Sequence, residues 1–132
     1  MTEASTPHTT IVIVEDDQYI SRMYNVKLAN AGYHVVLGQN GLDAIKLMNE
    51  HHPRLILIDI NMPEMTGLDA IRQLKNDGYD FSHTGIIFLT NSDSQDDIER
   101  AKTMGADYII KANITPKDML EVIKKNLASI SS

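Results

Sequence analysis

Five short aliphatic runs alternate with stretches of helical periodicity, and this alternation limits the chain to very few folds. The runs occupy residues 10–14 (TIVIV), 33–37 (YHVVL), 54–58 (RLILI), 85–90 (GIIFLT) and 107–111 (DYIIK). They are rich in valine and isoleucine, and the central ones scarcely alternate polar with apolar residues. That pattern suits strands covered on both faces, as in a parallel sheet. Between them, apolar residues recur at helical spacing. Ile20, Met23, Tyr24, Leu28 and Ala31 share one face, with Gly32 as the stop. Leu42, Ile45 and Met48 form a second stripe that ends before Pro53, and Leu68, Ile71 and Leu74 a third. A fourth, over 94–104, is thin, with Ile98, Ala101 and Met104 as its apolar positions. Leu120, Ile123, Leu127 and Ile130 make the fifth.

Strands alternating with helices predict an α/β sandwich, with helices on both faces of a five-stranded parallel sheet and right-handed crossovers. Local signals mark the helix starts. In TPKD (115–118) a hydroxyl precedes a proline at the first helical position, and an acid follows in the first turn. SQDD (94–97) does much the same for the thin fourth helix, and TGLD (66–69) is a third cap of this kind. Residues 1–9 read as a flexible N-terminus, 10–130 as the domain and 131–132 as a tail; the final SISS reads as a frayed end.

Bulk properties narrow the function. A length of 132 residues fits one domain with a single core. A net charge of -6 argues against a nucleic-acid footprint, which needs a basic surface. The absence of cysteine rules out disulfides and thiolate metal sites. Neither a signal peptide nor an apolar run of membrane-spanning length is present, so the expectation is a soluble cytoplasmic protein without membrane insertion.

Polar residues collect where the strands end. In a parallel sheet the carboxyl ends of the strands line one edge, where ligands bind. The first run ends in Glu15, Asp16 and Asp17, the third in Asp59, the fourth in Thr90 and the fifth in Lys111. Three carboxylates gathered in one cleft repel one another and need a counter-charge. Lys111 answers part of it. A hard divalent cation answers more, and an all-oxygen site favours Mg²⁺; no histidine at ligand spacing near these positions supports zinc. One carboxylate can then attack phosphorus, with the ammonium of Lys111 and the hydroxyl of Thr90 sharing the charge of the transferring group. Taken singly, each of these residues has an ordinary reading as a turn, a cap or a surface charge. His51 and His52 close the second helix, His34 and His83 read as surface residues, and Met62 and Met65 read as packing.

Together, VEDD, LILIDINMPEMTG, FLT and GADYIIK resemble the receiver domain of two-component response regulators. The resemblance covers residues 10 to about 130. It implies a flavodoxin-like (βα)5 three-layer sandwich with strand order 2-1-3-4-5. It also implies that Asp59 is phosphorylated by a histidine kinase or phosphotransfer protein. Glu15 and Asp16 match the acidic pair that holds Mg²⁺ with Asp59, Asp16 directly and Glu15 through water. Asn61 matches the position whose backbone carbonyl completes the metal site, and Asp17 reads as a helix cap. Thr90 would move toward the phosphoryl group, Lys111 would pair with it, and Tyr108 would be the aromatic switch. The surface altered would be the fourth helix, fifth strand and fifth helix, offered to an unknown downstream protein or to a homodimer. On this reading the chain is a stand-alone signalling protein, not an enzyme, that catalyses its own phosphorylation and dephosphorylation.

Two positions depart from the family pattern. Ala112 follows Lys111 where proline in a cis peptide is usual. A non-proline cis bond costs roughly 3 kcal/mol over trans, so the trans form is expected. Asn91 follows Thr90 where a smaller residue is usual, and its bulk beside the pocket predicts a longer-lived phospho-Asp59. Other classes fit less well. A haloacid-dehalogenase-like phosphatase wants an aspartate where Asn61 stands. A flavodoxin wants a phosphate loop where VEDD would repel the cofactor phosphate. A phosphorylation-independent pseudo-receiver rests only on Ala112 and Asn91.

Overall fold

The computed structural model describes residues 9–91 and 95–130. The expected Ser94 cap, residues 1–8 and the last two residues lie outside the described residues. Five strands, β1 (Thr10–Val14), β2 (His34–Gly38), β3 (Leu55–Asp59), β4 (Gly85–Thr90) and β5 (Asp107–Ile110), alternate with five helices. These are α1 (Gln18–Asn30), α2 (Gly41–His51), α3 (Gly67–Asn76), α4 (Gln95–Thr103) and α5 (Pro116–Ser129). All strand pairs are parallel, and the order across the sheet is β2-β1-β3-β4-β5.

Alternation of side chains divides the core into two layers. Val12, Val14, Ile56, Ile58, Ile86 and Phe88 face α2, α3 and α4, where Met48, Leu68, Ile71 and Ala101 meet them. Ile11, Ile13, Leu55, Leu57, Ile87 and Leu89 face α1 and α5, against Tyr24, Leu28, Met119 and Ile123. The burial of every residue of β3 explains its unbroken aliphatic run, for it has helices on both sides and strands on both edges. The edge strands β2 and β5 are only partly covered.

Boundaries move slightly from the sequence expectation. β2 and β3 begin one residue later: Tyr33 N–H still closes α1 on the Leu28 carbonyl, and Arg54, whose N–H donates to the Thr10 carbonyl and whose carbonyl accepts from Gly85 N–H, immediately precedes β3. β3 also ends one residue later, where Asp59 pairs with Leu89 of β4. Lys111 opens a single 3-10 turn, Lys111–Asn113, instead of ending β5. Thr9 is tied to the sheet, its carbonyl accepting from His34 N–H, and α5 carries the chain through Ser129, with Ile130 half-buried.

The second stripe needs a larger correction. Leu42 is 63% exposed, and the face α2 buries is Gly41, Ala44 and Met48. Met65 from the loop after β3 lies against Gly41 so closely that a β-carbon there would stand 2.8 Å from its own. Small residues let the helix approach this loop, and Leu42 turns outward.

Helix ends follow the local chemistry. Asp17 caps α1 by accepting from the N–H groups of Tyr19 and Ile20, and Thr66 caps α3 through Asp69 N–H. Thr115 and Asp118 form a reciprocal capping box with Pro116 at the first position of α5. No cis peptide occurs among the described residues, so Lys111–Ala112 is trans.

Candidate functional site

Asp59 is the last residue of β3 and 1% exposed. Both carboxylate oxygens are engaged: Oδ1 accepts from Asn61 N–H at 2.9 Å, and Oδ2 from Lys111 Nζ at 3.0 Å. Beyond it, Ile60 N–H still donates to the Leu89 carbonyl of β4, and the chain then turns back, with Gly67 N–H donating to the Ile60 carbonyl. That turn brings Gly67 against the Asp59 backbone. A β-carbon at Gly67 would overlap the Asp59 carbonyl oxygen, so the glycine is required by close approach.

Glu15, directly after β1, is also 1% exposed. Its Oε1 accepts from Lys111 Nζ at 3.2 Å and its Oε2 from Asp17 N–H at 3.1 Å. Burial lifts the Glu15 pKa from 4.5 to about 7; the neighbouring charge of Asp59 adds to the rise, while the Asp17 N–H and Lys111 oppose it. At Lys111 burial disfavours the charge, yet the hydrogen bonds and charges of Asp59 and Glu15 outweigh it and raise the pKa above its usual value. Lys111 thus bridges two buried acids. Asp16, exposed at the rim, joins them: oxygen atoms of Glu15, Asp16 and Asp59 all lie within 4.8 Å of one another. Three hard oxygen donors converging on one point, with one ammonium against three carboxyls, suit a hard divalent cation.

Thr90 ends β4, fully buried, one residue past the Leu89 that pairs with Asp59, and it pairs in turn with Ile110, the residue before Lys111. Asp59 and Thr90 end two adjacent strands and Lys111 follows directly on the third, so all three meet at one sheet edge. Asn61 and Asn91 are exposed at its mouth. Tyr108 is half-buried on the α4 side, in register with Phe88, and Lys102 Nζ of α4 lies 6.0 Å from its ring centroid. It lines a separate depression between β5 and α5 together with Val122, Lys125 and Ser129.

One neighbour of the site carried no functional signal in the sequence. Tyr24 of α1, 2% exposed, lies under the acids, and its pKa is raised by burial and then by the charge of Glu15. In the sequence it is only one member of an apolar stripe, and nothing in its spacing distinguishes it.

A parallel sheet of this order with acids and a lysine at its carboxyl edge is a flavodoxin-like α/β sandwich with a polar pocket at the switch in strand order. Residues 11–124 match the family described as response regulator receiver domain. The chain belongs to that family. A curated relative, the polar-differentiation response regulator DivK of Brucella ovis, is 33% identical over 118 residues, covering 89% of this chain and 95% of the relative. Among solved structures, the chemotaxis protein CheY4 of Vibrio cholerae superposes with a TM-score of 0.80 at 27% identity, over 90% of this chain and 98% of that one. A CheY-like receiver domain protein from Methanospirillum hungatei gives 0.82 at 27% identity, over 91% and 94%. Among the described residues, no helix is long and apolar enough to cross a membrane.

Proposed function

We propose that this receiver domain takes a phosphoryl group onto Asp59 from the phosphohistidine of a kinase or phosphotransfer protein. The observation that carries this reading is the Asp59 carboxylate: buried at a strand end, held by Lys111 and Asn61 N–H, and within reach of two more acids. An Asp59 oxygen attacks phosphorus, the P–N bond of the donor breaks as the P–O bond forms, and the donor imidazole leaves. Lys111 and the Thr90 hydroxyl stabilise the negative oxygens of the transferring group. Glu15, Asp16, Asp59 and the Asn61 carbonyl would hold Mg²⁺, which supplies charge neutralisation that three clustered carboxyls cannot provide for themselves.

In this reading the chain promotes its own phosphorylation and dephosphorylation and works as a signalling protein. Thr90 moves toward the phosphoryl group, Tyr108 turns inward behind it, and the α4-β5-α5 surface changes for a downstream protein or a second copy of the chain. Lys102 over the Tyr108 ring links that switch to α4. A cytoplasmic site of action goes with this reading; among the described residues no helix is long and apolar enough to span a membrane.

Incubation with Mg²⁺ and acetyl phosphate, followed by intact mass, tests this. The expected result is a Mg²⁺-dependent phosphate adduct, absent from Asp59→Asn. No adduct from acetyl phosphate or from a phosphohistidine donor would overturn the reading. Followed in time, the adduct decays several-fold faster in Asn91→Ala, because removing the exposed side chain beside Thr90 opens the pocket to water. An unchanged lifetime would remove that role for Asn91.

A further inference from the structure

At the opposite edge of the sheet, where the strands begin, two imidazoles face each other. His34 opens β2 and His51 ends α2, so the right-handed crossover returns the helix end to the start of its own strand. Their ring centroids are 6.3 Å apart, with planes at 61°. His34 is held from behind: its backbone N–H donates to the Thr9 carbonyl, and its ring Nδ1 lies 3.2 Å from Thr10 Oγ1. With the Nδ1 proton given to that hydroxyl, Nε2 keeps a lone pair. A histidine ligand is ordinarily braced in this way by an oxygen on its other nitrogen.

We propose that His34 and His51 form a surface site for a borderline divalent cation of the Zn²⁺, Ni²⁺ or Cu²⁺ class, with water filling the other positions. Imidazole nitrogen selects this class over the hard cations suited to the acidic pocket. With Zn–N bonds near 2.1 Å, two imidazoles on one tetrahedral ion have centroids roughly 5 Å apart. Exposed His51 at the helix end rotates to close the remaining ångström or so. The carboxyl end of α2, with its outward carbonyls, adds a favourable field for a cation. His52 takes no part, since its ring is stacked on Tyr79. The site lies a full strand, about 15 Å, from Glu15, so it is separate from the acidic pocket. An ion there clamps the edge strand β2 to α2.

Zinc titration of the full chain in excess Mg²⁺, read by calorimetry and by histidine ring NMR signals, tests this. The expected result is one zinc per chain, shifts at His34 and His51, and affinity reduced at least tenfold in His34→Ala and in His51→Ala. Asp16→Asn retains the affinity. Both histidine variants melt like the wild type without zinc, which separates lost ligation from lost folding. Affinity unchanged in both histidine variants, or lost in Asp16→Asn, overturns the site.

Discussion

Glu15 is the residue whose surroundings most alter its chemistry. It is shut between Lys111 and the Asp17 N–H, beside Asp59, and its pKa is lifted from 4.5 to about 7 chiefly by burial. In the metal-free chain the folded state therefore holds a proton through the interval from about 4.5 to 7 that the unfolded state has released. Stability from this group is full below 4.5 and declines as pH rises toward 7. Lys111, whose pKa its two acidic neighbours raise above the usual lysine value, stays charged throughout that interval. Denaturant unfolding in a chelator should show Glu15→Gln gaining on the wild type as pH rises across this interval. A constant difference between the two would contradict the shift. Two other residues hold backbone conformations that their side chains disfavour. Glu64, with φ of 71°, follows Pro63 in the loop that leaves Asp59, and His52, with φ of 46°, closes α2. The sequence offers no sign of either, because glycine is the residue that announces a left-handed position.

At the scale of elements, α3 and α4 show how helices of similar length are held differently. α3 buries Gly67, Leu68, Ala70, Ile71 and Leu74, whereas α4 buries Ile98 and Ala101. Acids in its first turn and bases in its last favour α4 electrostatically, but such terms are worth only tenths of a kcal/mol when exposed. Local opening should therefore be easier in α4. Native-state hydrogen exchange is expected to be at least tenfold faster in α4 amides than in central α3 amides; equal protection would contradict this. The thin fourth stripe was legible in the sequence because Ile98, Ala101 and Met104 are its apolar positions, and α4 stops at Thr103, just short of the last. The second stripe was misread for the converse reason. Gly41 and Ala44 carry little hydrophobic signal, yet they are the residues that fit against the sheet and Met65, while Leu42 faces solvent.

For the whole molecule, the acidic pocket is a collection of like charges that folding forces together. A cation bound only by the folded state stabilises it by mass action, about 2.7 kcal/mol at a hundredfold excess over Kd. Added Mg²⁺ should raise the melting temperature by several degrees, rising with concentration, and Asp16→Asn should abolish the response. A melting temperature indifferent to Mg²⁺ would count against the pocket as a metal site. By itself the sequence determined the fold class and the sheet edge where chemistry collects. The buried middle of a parallel strand must be aliphatic, so polar residues collect where strands run out, and Asp59, Thr90 and Lys111 stand at or just past three such ends. Capping was legible for the same local reason, since Thr115 and Asp118 answer to neighbours three residues apart. Only the tertiary structure decided which charges touch. Lys111 reaches Glu15 across 96 residues of sequence and Asp59 across 52, and the strand order sets both contacts. It alone also enclosed Glu15 and set His34 beside His51, because desolvation and through-space proximity belong to the packed chain and to no local stretch of it.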